Sequence, residues 1–596
     1  MSLRRVLVAL ALAAAPWTAS AATFAISGAT VVDGTGAKPR VANVVVRSGR
    51  IAEVGGEIPP GISVINGAGQ TLTPGFFDVH THLPYSGMSG LWGDWAKNLK
   101  AYLYCGVTSV VDFGSYPEMF EPMRRLLREG VVTGPRIHMA ARMTSPGGHG
   151  AEGGRGDLFS LEVLTPAEAR AGVRQWLAYK PDAIKVFTDG WRYGFDEDMT
   201  GMHEDTLRAI VEEAHKAGVE VLTHTVTLQK AKEAARAGVD VIAHGVGDAT
   251  VDSDLIAIMR EKGAAYAPTL AVYEAKNGPY PPMQKLLMEP AMLAGLPAVR
   301  KTRETPARTR RWEHLVENVA LLRTAGIPVA TGTDAGVSGM PHGWASLHEM
   351  ELFAASGMSP LEAITAATGV AAKAIGVDRD RGTIEPGKLA DLVLIAGAPH
   401  ERIADLEKVS RVFLGGDEVD REALRAAIAR PAVTPLPAHR VGPLIDDMEA
   451  GRTSLDTLRV NATDSGNDHS RMLFQRVLRP AGGHAMAVQA RMGQKRSPFA
   501  QLWIPLSKGG VEPVDASAYS ALEFEVRGEG AYRVLFLQRS VRDGKFTDAP
   551  FAAGAEWGKV RVALPAIRDD LLVLAFEIAR PAGADGWLEL DNLRFY

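Results

Sequence analysis

Residues 71–83 read TLTPGFFDVHTHL, and the reading of this stretch decides the fold. Pro74-Gly75 breaks the chain, and a short apolar run follows in which Asp78, His80 and His82 stand two apart. Residues two apart on a strand share a face, so the two imidazoles can converge on one ion. Asp78 lies on that face too, placed to hydrogen-bond a ligand from behind. A lone His-x-His is weak evidence, and a single histidine is more often structural, so the weight lies in what surrounds the stretch.

Upstream, residues 22–73 read as short strands parted by Gly and Pro, as in ATFAISGATVVDG and ANVVVRSGRIAEVGG. Downstream, strand-like runs alternate with amphipathic helical ones, the pattern of parallel βα units. Eight such runs are expected as strands: FFDVHTH, TSVVDFG, RIHMAA, AIKVFTDG, VEVLTHTV, DVIAHGV, AAYAPTLAV and IPVATGTDAG. Eight strands close a (β/α)8 TIM barrel, assigned here to residues 74–380. The strand-like text of residues 381–430 is expected to return to the unit begun at 22–73 and form a composite β-sandwich with it. A proline-spaced linker, 431–443, then leads to an all-β sandwich at 444–596, where SALEFEVRG, YRVLFLQRS and WLELDNLRFY alternate in hydrophobicity.

Within the barrel the ligand-type residues fall at matching places. His80 and His82 are on the first strand, Lys185 on the fourth, His224 on the fifth, His244 on the sixth and Asp334 on the eighth, all near C-terminal strand ends. That face is where barrel active sites form. Asp112 ends the second strand, equally suited to capping a turn.

TLTPGFFDVHTHL, together with GTDAG at 332–336 and GTIEPGKLADLVLI at 382–395, resembles the amidohydrolase superfamily, in particular its imidazolonepropionase-related and prolidase-like members. The likeness runs over roughly residues 24 to 430. It implies that His80, His82 and Asp334 bind the more buried of two divalent metal ions, and His224 and His244 the more exposed one. It implies further that Lys185 is carboxylated and bridges both. The alternative for Lys185 is an interior ammonium paired with Asp189 or another carboxylate. Zinc is the first expectation for so nitrogen-rich a set, with manganese or cobalt also fitting.

A divalent pair lowers the pKa of its water toward about 7 and polarises a carbonyl. The resemblance assigns Asp334 as the group that takes the water's proton and passes it to the leaving nitrogen. The expected reaction is hydrolysis of an amide bond in a small substrate such as a dipeptide or N-acyl amino acid. Cyclic-amide hydrolysis or deamination is the alternative, and a non-catalytic carbohydrate- or ligand-binding surface protein is a third reading. For substrate contact we single out His149 in the glycine-rich loop RMTSPGGHGAEGGRGDLF, Tyr273 after the seventh strand and His342 after the eighth.

The C-terminal segment resembles a galactose-binding-like sandwich of the complex I intermediate-associated type. Trp503, Trp557 and Trp587 are either a sugar-stacking platform or core, and Asp446, Asp447 and Asp591 either calcium ligands or exposed carboxylates. Carbohydrate contact and self-association are left open. Nothing in this segment carries a catalytic constellation, so its removal is expected to leave hydrolysis of small substrates intact.

The composition, 46% hydrophobic and 22% charged with a formal charge of −4 over 596 residues, gives no electrostatic case for nucleic acid or an anionic membrane. Residues 1–21, MSLRRVLVALALAAAPWTASA, read as a signal peptide: two arginines, an apolar run short of the roughly 20 residues of a span, and small residues at the cleavage point. An exported, periplasmic or secreted protein without a stable membrane anchor is expected. Cys105, the single cysteine, excludes an internal disulfide and is expected to be a buried, inert thiol.

Overall fold

The computed structural model describes residues 23–85, 93–151, 159–189, 200–288, 293, 296–337, 340–464, 468–541 and 545–596. The expected signal peptide lies outside the described residues.

The chain opens with β1 (Phe24–Val31), β2 (Arg40–Arg47), β3 (Arg50–Val54), β4 (Ser63–Asn66) and β5 (Thr71–Pro74). Between β2 and β3, Ser48 and Gly49 take φ of 51° and 75°, the left-handed pair that a tight hairpin demands. Gly75 then turns the chain into the barrel: a Cβ there would lie 2.0 Å from Thr108 Oγ1, so only glycine fits.

The barrel strands are β6 (Phe76–Thr81), β7 (Val107–Asp112), β8 (Arg136–Thr144), β9 (Ala183–Phe187), β10 (Glu220–His224), β11 (Val241–Ala243) and β12 (Ala265–Ala267). They pair in parallel in chain order. Every residue of β6, β7 and β9 is buried, as expected of strands covered on both sides. Where an eighth strand was expected, the run from Pro328 to Ala335 bridges the two edges without becoming a regular strand. Val329 pairs with Tyr266 on one side and Ala335 with Thr81 on the other, while the Asp334 N–H donates to His80 O at 2.8 Å. The positive φ of Asp334, 59°, interrupts regular strand geometry there.

The helices that matter for the site are α1 (Trp95–Tyr104), α2 (Pro117–Arg128), α3 (Pro166–Leu177), α4 (Glu204–Lys216), α5 (Leu228–Ala237), α6 (Ser253–Lys262), α7 (Leu270–Tyr273), α8 (Pro306–Thr324) and α9 (Trp344–Ala355). Their ends follow local chemistry. Thr165 and Glu168 form a reciprocal capping box at the start of α3, and Gly238 closes α5 in the left-handed conformation.

After the barrel, β13 (Leu392–Ile395), β14 (Val409–Leu414) and β15 (Asp417–Glu418) return to the N-terminal flank. β13 pairs antiparallel with β5, giving one sheet in the order β15-β14-β13-β5-β1-β2-β3 with β4 on β1. Phe24, Ile26, Val44, Leu392 and Phe413 are among the residues of its separate core.

The C-terminal region holds β16 (Leu444–Asp446), β17 (Val460–Thr463), β18 (Arg471–Leu478), β19 (His484–Arg491), β20 (Ala500–Pro505), β21 (Ala521–Gly528), β22 (Gly530–Gln538), β23 (Thr547–Ala553), β24 (Gly558–Ala563), β25 (Leu571–Ile578) and β26 (Asp585–Phe595). They form two antiparallel sheets, β18-β19-β26-β21-β24 with β16 on β26, and β17-β20-β25-β22-β23. Phe524 and Leu590 from one sheet and Phe536, Leu574 and Phe576 from the other share one core, so the region is a sandwich.

Of the alternatives left open for this region, the structure speaks against the ligand-binding ones. The three tryptophans make no common platform, because Trp503 is on β20 of one sheet while Trp587 is on β26 of the other. The three aspartates make no calcium site: Asp446 is clasped by Arg459 at 2.6 and 2.7 Å, Asp591 by Arg479, and Asp447 caps the Glu449 N–H at 3.2 Å.

Candidate metal centre

Strand geometry brings the ligand-type residues of β6, β9, β10, β11 and the Pro328–Ala335 run together at the C-terminal mouth of the barrel. His80, His244 and Asp334 each offer a ligand atom within 4.8 Å of the others, and all three are buried. Asp334 Oδ1 lies 2.8 Å from His82 Nε2 and 3.3 Å from His80 Nε2. The imidazole rings run on from there, His80 to His244 at 4.5 Å and His244 to His224 at 4.2 Å between centroids.

The backbone is strained where it delivers these groups. His244 and Asp334, each just past the regular part of its strand, take φ of 66° and 59°, and Thr269 takes 50°. Left-handed non-glycine residues cost energy and cluster at functional sites. The Thr269 hydroxyl, 3.1 Å from His244 Nδ1, helps to set the orientation of that ring.

Electrostatics suit the same end. Burial pushes His80 down to about 3, with Lys185 adding to the shift. Burial likewise holds His224 and His244 well below the ordinary histidine range, and neighbouring imidazoles reinforce it. All three rings are therefore neutral at pH 7, the form in which an imidazole can ligate a metal. Burial pushes the Asp334 carboxyl up, but His80 and His82 more than offset it and keep the group ionised. Neither ring nitrogen of His80, nor His82 Nδ1, makes a hydrogen bond among the described residues. A neutral buried imidazole such as that of His80, its nitrogens without hydrogen bonds among the described residues and a carboxylate beside it, fits a divalent cation well, since such nitrogens are otherwise costly to desolvate.

Lys185 lies at the floor of this cluster, fully buried on β9. Its Nζ donates to Thr223 O at 3.2 Å and sits 4.3 Å from the Phe113 ring centroid. No carboxylate forms an ion pair with it among the described residues. Asp189, the partner that an ordinary buried lysine would have taken, instead accepts from the Val226 and Thr227 N–H groups at 2.6 and 3.2 Å, with its other oxygen 3.7 Å from His224 Nε2. Burial lowers the Lys185 pKa well below that of a free lysine.

Asp78 buttresses the centre. It accepts from the His80 and Thr333 N–H groups, both at 3.2 Å, and from the Thr333 and Ser346 hydroxyls at 2.7 and 2.8 Å, joining the first strand to the last. Asp112 caps a turn through the Leu83, Gly114 and Ser115 N–H groups. Of the three substrate candidates, His149 stands over the centre, its ring 4.3 Å from that of His224. Tyr273 ends α7 with its ring 6.3 Å from His244. His342 is instead buried, with Nδ1 3.2 Å from the Tyr102 hydroxyl and Nε2 2.9 Å from Tyr85 O, so it braces the wall and offers no free nitrogen to a substrate.

The sequence reading passed over three contributors. Asp189 beside His224 was weighed only as a partner for Lys185, although its place four residues on along the same strand face was a signal. Thr269 and the aromatic floor of Phe113 and Phe187 had none, because their roles depend on strands far apart in sequence.

The amidohydrolase family profile matches residues 71–419. An ochratoxinase of Aspergillus niger is 25% identical over 441 residues, covering 65% of this chain and 84% of its own. An imidazolonepropionase of Ralstonia nicotianae is 26% identical over 399 residues, covering 59% and 85%. Among solved structures, a Bifidobacterium longum protein described as a prolidase superposes with a TM-score of 0.54 at 28% identity, covering 69% of this chain and all of its own.

Proposed function

The chain belongs to the amidohydrolase family, and on that premise we propose that it cleaves the amide bond of a small N-acyl amino acid or dipeptide at the mouth of the barrel. The observation that carries the reading is the packing of His80, His244 and Asp334 within 4.8 Å of one another, above a buried Lys185 with no carboxylate ion pair among the described residues. Likeness to proteins named for prolidase and ochratoxinase activity supports an acyclic amide. Likeness to imidazolonepropionase keeps ring opening of a cyclic amide as the second reading.

Two divalent ions, zinc first, would be held by His80, His82 and Asp334 on one side and His224 and His244 on the other. Lys185 would join the two sets as the carbamate its amine forms with carbon dioxide, releasing one proton. When bound, such ions supply an activated water near neutral pH and a Lewis acid for the carbonyl. Asp334, kept ionised, takes the proton of the attacking water and returns it to the leaving nitrogen. Asp78 and Thr269 hold His80 and His244 in place throughout. His149 and Tyr273 border the opening and are proposed to contact the substrate. An exported location, from residues 1–21, remains part of the proposal.

The test is a screen of the metal-loaded protein against N-acyl amino acids, dipeptides, cyclic ureas and lactams, reading release of amine or ring opening. Turnover of an acyclic amide that Asp334→Asn abolishes is expected. Turnover confined to cyclic substrates would move the assignment to the second reading, and no turnover of any class by a metal-replete protein would overturn both.

A further inference from the structure

The sandwich reaches the barrel at a place that leads directly to the proposed centre. Asp94, the N-cap of α1, is 1% exposed and receives Arg539 Nη2 at 2.9 Å, from the residue just after β22, and the Thr434 N–H at 2.5 Å. Arg539 Nη2 also donates to Thr434 O at 2.9 Å, so one guanidinium ties the linker, the sandwich and α1 together. One turn along α1, the Asn98 side-chain amide donates to Leu83 O at 2.8 Å and to Tyr85 O at 3.3 Å. Another turn along, the Tyr102 hydroxyl meets His342, whose other nitrogen is on Tyr85 O. Asp94, Asn98 and Tyr102 are spaced i, i+4, i+8 and so share one helix face. That face holds Leu83 and Tyr85, one and three residues after His82, and the Tyr85 ring lies 5.5 Å from the His82 ring.

We propose that the C-terminal sandwich is part of the active-site architecture, with Arg539 acting as a positioning residue that sets α1 through Asp94 and thereby fixes the His82–Tyr85 wall. This departs from the expectation that the sandwich is dispensable for small substrates. The remaining interdomain ion pairs provide an internal contrast. Arg452 with Glu118 at 2.8 Å, and Arg125 with Glu512, join the sandwich to α2, and no α2 side chain bonds residues 82–85 among the described residues. They dock the domain without addressing the wall.

The inference rests on His82 as a metal ligand, so the experiment carries a readout that does not need metal. In the full-length protein, Arg539→Met, Arg539→Gln and Arg539→Lys are compared with Arg452→Met by hydrogen exchange over residues 78–102 and by zinc retention against a chelator. Both methionine variants lower Tm. Arg539→Met is expected to speed exchange in residues 83–102 and to weaken zinc retention about tenfold, in line with losses seen when residues supporting a ligand are removed. Arg539→Lys recovers part of both, Arg452→Met matches wild type in both, and Arg539→Gln serves if the methionine variant does not fold. Wild-type exchange and zinc retention in a folded Arg539 variant, or the same losses in Arg452→Met, would overturn the proposal. Faster exchange in a protein whose wild type holds no zinc would defeat the metal reading and leave the clamp standing.

Discussion

The barrel and the sandwich both bury charge, and they do so in opposite ways. In the sandwich, Asp446 is enclosed by the two-pronged grip of Arg459, and Glu577 is shared between Gln501 and Arg533 at 2.6 Å each. At the barrel mouth, His80, His244 and Asp334 crowd together above a buried lysine, and neither ring nitrogen of His80 nor His82 Nδ1 makes a hydrogen bond among the described residues. Saturated polar groups hold a fold in register, whereas unsaturated ones persist only where something else stabilises them. The difference separates structural charge from working charge more sharply than burial or residue type does.

The contrast can be broken at either end. The largest effect is expected at Asp334: Asp334→Asn should fold normally and reduce kcat by about 10²–10⁴-fold, the usual worth of a general acid–base group. Tm should change little, because active sites trade stability for function. A large fall in Tm with little loss of kcat would put Asp334 in the structural class instead. Arg459→Met is the mirror experiment. It strands Asp446 in the sandwich core and should lower unfolding stability by about 3–5 kcal/mol, with kcat per folded molecule unchanged. Denaturant titration alongside kinetics decides it.

A smaller effect belongs to a barrel group that behaves like the sandwich. His348 on α9 is held between Glu274 at 2.8 Å and Glu351 at 3.0 Å. Burial alone would push it down, but these two carboxylates lift it to about 9. Because the folded value is raised, its contribution is fully present below about 6.5 and disappears as pH rises through about 9. The drop in Tm over that window should therefore be shallower in His348→Gln than in wild type; equal slopes would remove His348 from the account. The smallest effect is at Cys105, whose thiol burial pushes up to about 12. It should resist alkylation by iodoacetamide at pH 8 until the protein is unfolded, and rapid labelling of native protein would contradict the burial.

What could be read in the sequence was what repeats at short range. TLTPGFFDVHTHL placed the change of rhythm at Pro74, the first barrel strand and the paired histidines because each depends on neighbours two or three residues away. The eighth barrel run was placed but not its irregularity, which comes from the left-handed backbone at Asp334 and the hydrogen bonds of Thr333 across the barrel. Between a substrate contact and a structural role, His342 could not be decided from sequence, because the bond that engages it comes from Tyr102, 240 residues earlier. Asp446 was open to reading as a calcium ligand or an exposed carboxylate, and is neither, because Arg459 folds back over it without any local sign in the sequence. Nor does alternation within a strand reveal which sheet the strand joins, so Trp503 and Trp587 could not be separated.

The central claim is that the barrel mouth is a two-metal centre bridged by Lys185, and it is tested most directly by metal content and activity measured together in Lys185→Ala, with and without added acetate. The account predicts about two divalent ions per wild-type chain, loss of at least one ion and most activity in the folded variant, and partial return of both when acetate takes the place of the carbamate. A folded Lys185→Ala protein that keeps two ions and near-normal kcat would contradict it.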